Sequence, residues 1–268
     1  MNKIDYPVGV LPLDFLVSAI EKERYIENIN GIPGNINYGF DYKDREVSLN
    51  FWLRHYHGEH DQKLLKSELY AMLDSQPYFY VSDDKLPTRV LKLAIDEPYL
   101  PERINGSNIS TLEIKCQIIG LPFWQTKYTA QKIEASGYTA IEEKYGLADG
   151  INVDYPNYTF TTKTINVWNG GNVTIDPRNM PLSIKVNSLT SEGNFTIFNE
   201  TTNETFIFKK KIPPTALNIQ GTKVLLGKYN YLRDSNRKFI SLKPGLNKLK
   251  FMNGEFDNIR IDFSFYYK

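Results

Sequence analysis

The sequence predicts a mainly β protein with one principal helix, divided into two domains. Three observations carry that prediction. Apolar positions alternate with period two at Val47–Leu53 and Leu112–Ile118 and recur in short runs from Ile165 to Phe265, a single stretch from Asp61 to Leu73 has helical spacing instead, and the pattern changes character near residue 130. The expected domains are therefore 1–130 and 131–268, each long enough to bury its own core.

In chain order, the first element is a hairpin over about residues 20–42. Arg24-Tyr25-Ile26-Glu27-Asn28-Ile29 reads as a strand running into Gly31-Ile32-Pro33-Gly34, and Tyr38-Gly39-Phe40 continues on the return. An isolated two-stranded ribbon is marginal in water and its free edges invite pairing, so this arm packs on its own domain or on a neighbour. Next, Glu46-Val47-Ser48-Leu49-Asn50-Phe51-Trp52-Leu53 places Val47, Leu49, Phe51 and Leu53 on one face of a half-buried strand. Asp61 is the expected N-cap of a helix whose apolar stripe is Leu64, Leu65, Leu69, Met72 and Leu73, and Ser75-Gln76-Pro77 ends it because proline restricts the residue before it and lacks an N–H. Tyr78–Val81 and Val90–Ile95 read as strands joined by a turn-rich connection, and Thr111–Ile118 as a strand with Leu112, Ile114, Cys116 and Ile118 inward.

The second half opens with a polar stretch, 130–150, whose pattern fits a helix or a loop. Short strands are then expected at 173–175, 182–186, 194–198, 205–208, 222–226, 248–251 and 258–265, a spacing that points to a β-sandwich. Pro244-Gly245 is a turn signal, since proline presets the first corner and glycine accepts a positive φ at the second.

Charge and composition exclude several functions. With 32 basic against 31 acidic side chains there is no global positive field to hold a phosphate backbone, which disfavours a nucleic-acid binder. The 13% aromatic content suits many strands and extensive interfaces alike. Cys116 stands alone on an apolar strand face and reads as a packed core thiol. Asp5, Pro7, Pro12 and Asp14 interrupt any signal-peptide core, and no membrane span is expected. The Asn-X-Ser/Thr triplets starting at Asn105, Asn108, Asn157, Asn172, Asn194, Asn199 and Asn203 read as an Asn/Thr-rich composition.

No enzyme motif is present: there is no phosphate-binding glycine loop, no nucleophile elbow and no histidine beyond one cluster to serve a triad. That cluster, Arg54-His55-Tyr56-His57-Gly58-Glu59-His60-Asp61, holds all three histidines in non-standard metal spacing. It reads as a polar strand-to-helix loop, or as titratable groups facing a neighbouring subunit. Glu142 with Glu143, Asp83 with Asp84, and Lys209-Lys210-Lys211 read as solvated surface charge. No catalytic, cofactor or metal residue is assigned. Trp168, beside Asn166, Asn169, Gly170, Gly171 and Asn172, supplies the ingredients of a sugar platform, although an isolated strand tryptophan more often packs in a core. A carbohydrate-binding adhesion module is accordingly the alternative reading.

Several of these segments together resemble one family. Asp41-Tyr42-Lys43-Asp44-Arg45 leading into the strand at Glu46, the single helix, the closing Pro122-Phe123-Trp124, Asn172–Pro177 and Leu242–Phe251 are similar to the distal tail (Dit) proteins of long, flexible-tailed bacteriophages. Asn218-Ile219-Gln220-Gly221 departs from the pattern, where relatives often carry an aspartate before the turn. The resemblance implies an N-terminal domain whose arm hairpin reaches a neighbour and helps close a hexameric ring, and a galectin-like C-terminal sandwich. It further implies a non-enzymatic hub at the distal end of a virion tail, made in the cytoplasm of a bacterial host, with a channel through which DNA passes unbound. Its partners would be the tail tube protein, a tail-associated tip protein and receptor-binding components, with no cofactor and no membrane insertion. The Lys-, Asn- and Ile-rich composition agrees with an AT-rich Gram-positive host.

Overall fold

The computed structural model describes residues 4–31, 33–145 and 150–268, with the side chains of 138–145 set aside, and divides the chain into two compact units. Unit 1 comprises Met1–Leu86 and Val90–Phe123, and unit 2 comprises Pro87–Arg89 and Trp124–Lys268.

Unit 1 is built on one long ribbon. β1 (Val10–Val17) leads to β2 (Lys22–Glu27), and β3 (Ile36–Tyr42) returns into β4 (Val47–Arg54). β1 pairs with β4 and β2 with β3, both antiparallel, so the two pairs are nested halves of a single hairpin. Backbone hydrogen bonds from Ser18 N–H to Glu46 (2.9 Å) and from Lys43 N–H to Glu21 (2.9 Å) join the halves. β1 escaped the sequence reading because Pro12 and Asp14 interrupt it. Pro12 sits where the register with β4 shifts, a bulge that tolerates the missing N–H.

After β4 come α1 (Glu59–Leu73), β5 (Phe79–Val81), β6 (Arg89–Ala94), β7 (Glu102–Arg103) and β8 (Ile109–Ile118). The sheet of this unit runs β1-β4-β8-β6, with β5 on β6 and β7 on β8. The alternation read from sequence is realised: Val47, Leu49, Phe51 and Leu53 are buried beside Leu112, Ile114 and Cys116, with Leu49 opposite Ile114 and Phe51 opposite Leu112. From α1, Leu65 and Leu69 are buried, whereas Leu64 is 51% exposed. Asp61 is not the N-cap. The N-cap is Gly58, three residues earlier, at φ 88°, and the Asp61 carboxylate instead accepts the N–H groups of Tyr56 (2.6 Å) and His57 (3.1 Å), which holds it below the usual carboxylate pKa.

Unit 2 opens with β9 (Trp124–Thr126), which pairs with β20 (Tyr266–Tyr267) at the far end of the chain. The undecided stretch after residue 130 is helical: α2 (Ala130–Tyr145) is broken at Gly137, whose φ of 71° no helix accommodates. Gln131 N–H donates to Asp262 (3.0 Å), and its side-chain amide donates to the carbonyls of Tyr158 and Ile261. Ile133 is buried, so this face of α2 closes one side of the unit.

The remaining strands form two sheets. β10 (Thr159–Phe160), β11 (Thr164–Asn169), β12 (Leu182–Ser191), β13 (Phe195–Asn199), β14 (Glu204–Phe208), β15 (Ile212–Gln220), β16 (Lys223–Leu226), β17 (Tyr229–Asn230), β18 (Gly245–Met252) and β19 (Asn258–Phe263) follow in chain order. One sheet runs β10-β19-β12-β15-β16-β17 and the other β11-β18-β13-β14. Leu182, Ile184 and Ile219 of the first line one small apolar cavity with Phe206 of the second, so the sheets face each other as a sandwich. β15 was missed because Pro213-Pro214 argues against a strand; both prolines fall in the irregular stretch of its pairing with β12. Ser188 at φ 53° marks the bulge on β12 that keeps Leu189 inward. Residues 173–175, expected as a strand, form a loop with one bridge from Ile175 to Leu242.

Candidate assembly surface

The outer half of the ribbon leaves the sheet. β2 and β3 form a two-stranded sheet of their own, and every residue of β2 is exposed. Six residues per strand carry the tip about 20 Å beyond the root. Gly31 and Gly34, both at φ 87°, turn the tip, where Ile32 lies outside the described residues. At the root, the Tyr42 ring meets Phe123 edge-on at 5.7 Å, and Arg45 donates to the carbonyls of Pro122 (2.8 Å) and Ser18 (3.1 Å). The arm is thus tied at its base and uncovered beyond it.

The two faces of the arm differ in charge. Pairing sets Lys22 opposite Tyr42 and Arg24 opposite Phe40 on one face, with Glu23 opposite Asp41 on the other. On the first face the Lys22 ammonium lies 5.0 Å from the Phe40 ring centre and the Arg24 guanidinium 5.4 Å from the same ring, a cation–aromatic stack. On the second, Glu23 pairs with Lys43 at 2.6 Å and Asp41 accepts the Tyr25 hydroxyl at 2.9 Å. The Lys43 hydrogen bond lowers the Glu23 pKa, and the bond to Asp41 raises that of Tyr25. Tyr25, Ile26, Tyr38 and Phe40 are all exposed large side chains.

The sheet at the root of the arm has an open face as well. Opposite the buried row, Leu11 sits beside Trp52 and Trp52 beside Thr111, while Asn50 sits beside Glu113. Leu11, Leu16 and Trp52 are exposed at 54%, 55% and 41%, an apolar row on a surface that water should not keep. Beside it runs a groove of about 600 Å³ whose charged lining is Asp14, Glu97, Glu102 and Glu113 against Lys115.

The residues singled out by sequence are not gathered into a chemical site. His55 is half-buried with its Nδ1 enclosed, whereas His57 and His60 are exposed, and among the described residues no group of three His, Cys, Asp or Glu side chains is arranged to hold a metal. Cys116 is buried, and desolvation pushes its thiol up to about 12, far from a reactive thiolate. Lys210 pairs with Asp234 at 3.0 Å and Lys211 with Glu192 at 2.7 Å, while the Asp83 carboxylate accepts the Lys85 N–H. Glu142 and Glu143 lie outside the described side chains.

Trp168 is half-buried and donates its indole N–H to the Gly150 carbonyl at 2.7 Å. Asn169 is fully committed: its amide donates to the carbonyls of Val173 and Leu242 and its oxygen accepts the Gly171 N–H. Asn172 accepts the Lys268 N–H. Trp168, Asn169 and Asn172 thus each clamp a loop or the chain end through a hydrogen bond, while Asn166 stays exposed. Sequence reasoning missed the open sheet face, because Leu11 and Leu16 belong to the strand that Pro12 concealed.

Residues 9–116, which span the ribbon, α1 and nearly all of β8, match the family model of the phage tail protein RIFT-related domain. No curated protein matches the sequence. Over the whole chain the fold is similar to the crystal structure of the Dit protein of phage SPP1, described as a paradigm of the hub adsorption apparatus in Gram-positive-infecting phages. The TM-score is 0.70 at 13% identity, covering 97% of this chain and 94% of that one. Chains from the baseplate of phage p2 in its activated conformation, with Sr and with Ca, match at TM-scores of 0.45 and 0.46. Their identities are 12% and 13%, covering 96% and 97% of this chain and 90% and 91% of theirs. The likeness to distal tail proteins read from sequence motifs is met by the N-terminal family match and by the fold of the whole chain.

Proposed function

We propose that this protein is a structural, non-enzymatic hub of a siphovirus-type tail. Six copies close a ring at the distal end of the tail, joining the tube to the tip proteins around a channel that DNA crosses. The single observation that carries the reading is the arm: a ribbon tied at Tyr42 and Arg45, uncovered on both faces and at both edges, in a unit that matches a phage tail family. A lone hairpin of this kind gains its stability from a partner, and a chain that projects one patch onto a different patch of its copy forms a closed ring when the rotation closes. The near-zero net charge suits a conduit that must release its cargo.

Unit 2 serves, on this reading, as a galectin-like docking surface for receptor-binding components. The commitment of Trp168, Asn169 and Asn172 to the fold weighs against a sugar site there. The test is the solution mass of the full chain by light scattering, followed by negative-stain imaging. Six-fold rings with a central hole support the hub, and a monomer at every concentration overturns self-assembly by this chain alone.

A further inference from the structure

The arm and the open face of the sheet are different patches of unit 1, and their charges are opposite. The Lys22–Arg24 face of the arm is cationic and aromatic, with the nearby carboxylates Glu23 and Asp41 turned to the other face and already engaged by Lys43 and Tyr25. The groove beside β1, β4 and β8 carries four carboxylates, those of Asp14, Glu97, Glu102 and Glu113, against the one ammonium of Lys115. Its lining also includes Leu13 and Leu100, exposed at 41% and 68%. The two patches are complementary in charge, and both carry apolar area that a contact between them would cover.

We propose that this groove receives the cationic, aromatic face of the arm from a second copy of the chain. The inference rests on the ring reading and names the acceptor surface for it. Charge decides which patches meet. Setting groove against groove and arm against arm would place like charges together at a cost of several kcal/mol. Arm into groove puts Lys22 and Arg24 among the carboxylates, lays Phe40 on the apolar rim, and leaves each copy with one arm to give and one groove to fill. That is the head-to-tail contact from which rings are built.

A charge swap tests it. Lys22→Glu/Arg24→Glu and Glu102→Lys/Glu113→Lys are each expected to weaken association of the full chain by at least about tenfold in sedimentation velocity, since reversal sets like charges face to face. Mixing the two variants is expected to restore assembly, because in an alternating ring every acidic arm meets a basic groove and every basic arm an acidic one. Arg24→Cys/Glu113→Cys, oxidised, is expected to give a ladder of cross-linked species on a denaturing gel, while buried Cys116 stays out of the reaction. If the unaltered chain forms rings but the reversals leave them intact and no ladder forms, the groove assignment is overturned and the ring reading stands. A monomeric unaltered chain whose cysteine pair still gives the ladder keeps the groove and overturns spontaneous ring closure. A monomer without a ladder overturns both.

Discussion

The two units treat their apolar side chains differently. Among the described residues, nineteen large hydrophobic side chains are exposed in unit 1, whereas unit 2 exposes four: Val153, Tyr229, Leu246 and Met252. Unit 2 is the longer of the two, so size does not explain the difference. Its strands bury Ile184, Val186, Phe195, Ile197, Phe206, Phe208, Leu249, Phe251, Ile259 and Ile261 between two sheets, and its loops are closed by buried asparagines. Asn247 both accepts from the Lys243 N–H and donates to the carbonyls of Lys243 and Gly245, and Asn199 donates to Ser241 at 2.7 Å. Unit 1 instead covers one face of its sheet with α1 and leaves the other face and the arm bare. On the ring reading proposed above, unit 2 is finished by its own fold and unit 1 by a neighbour, and exposed apolar area is the signature expected of the second case.

The comparison can be broken or sharpened by substitution. The largest effect is expected from Phe251→Ala, which empties a site in the sealed sandwich beside Phe195 and Phe256 and should cost about 3–5 kcal/mol in denaturant unfolding of unit 2. Asn247→Ala should follow at about 1–3 kcal/mol, because it strands buried backbone groups of the Pro244-Gly245 turn; a silent variant would mean water takes over the clamp.

Next comes pH. Tyr158 is buried, and desolvation, with Tyr267 and Glu134 nearby, raises its phenol pKa while its hydroxyl donates to the Trp168 carbonyl at 3.0 Å. The folded pKa lies above the unfolded value of about 10, so the contribution is full below that pH and is lost as pH rises through the folded value. Denaturant titrations at rising alkaline pH should show unit 2 losing stability, with a shallower loss in Tyr158→Phe. The smallest stability change is expected from Tyr25→Ser/Phe40→Ser on the arm, within about 0.5 kcal/mol, accompanied by loss of the assembled species in light scattering. A large loss of stability with assembly unchanged would place the arm on its own unit and erase the contrast.

Much of this was legible in the residues. Period-two alternation at Val47–Leu53 and Leu112–Cys116 located the core face because a pleated strand has no other way to bury every second side chain. Gly245 takes the predicted positive φ, at 87°. The hairpin over 22–42 was read from its glycines and its flanking aromatic strands, and lies where expected. Two strands were missed for the same reason. β1 and β15 carry Pro12 and Pro213-Pro214, and local propensity rejects proline in a strand, yet a bulge paired to a neighbouring strand accommodates it. Asp61 was assigned to the wrong position because its two N–H donors, Tyr56 and His57, belong to a turn that sequence spacing does not define.

By itself, then, the sequence determined the mainly β class, the principal helix, the arm and the buried inertness of Cys116, since each follows from periodicity, turn chemistry or the placement of a residue on an apolar face. Tertiary structure alone decided which faces stay open. Leu11, Leu16 and Trp52 have the same side chains as residues that are buried elsewhere in the chain, and their exposure follows from long-range pairing of β1 with β4 and of β4 with β8 and from α1 covering the opposite side. Likewise Trp168 and its neighbouring asparagines look the same in sequence whether they bind a sugar or clamp a loop, and only the fold brings to Trp168 and Asn169 the carbonyls of Gly150, Val173 and Leu242 to which they donate.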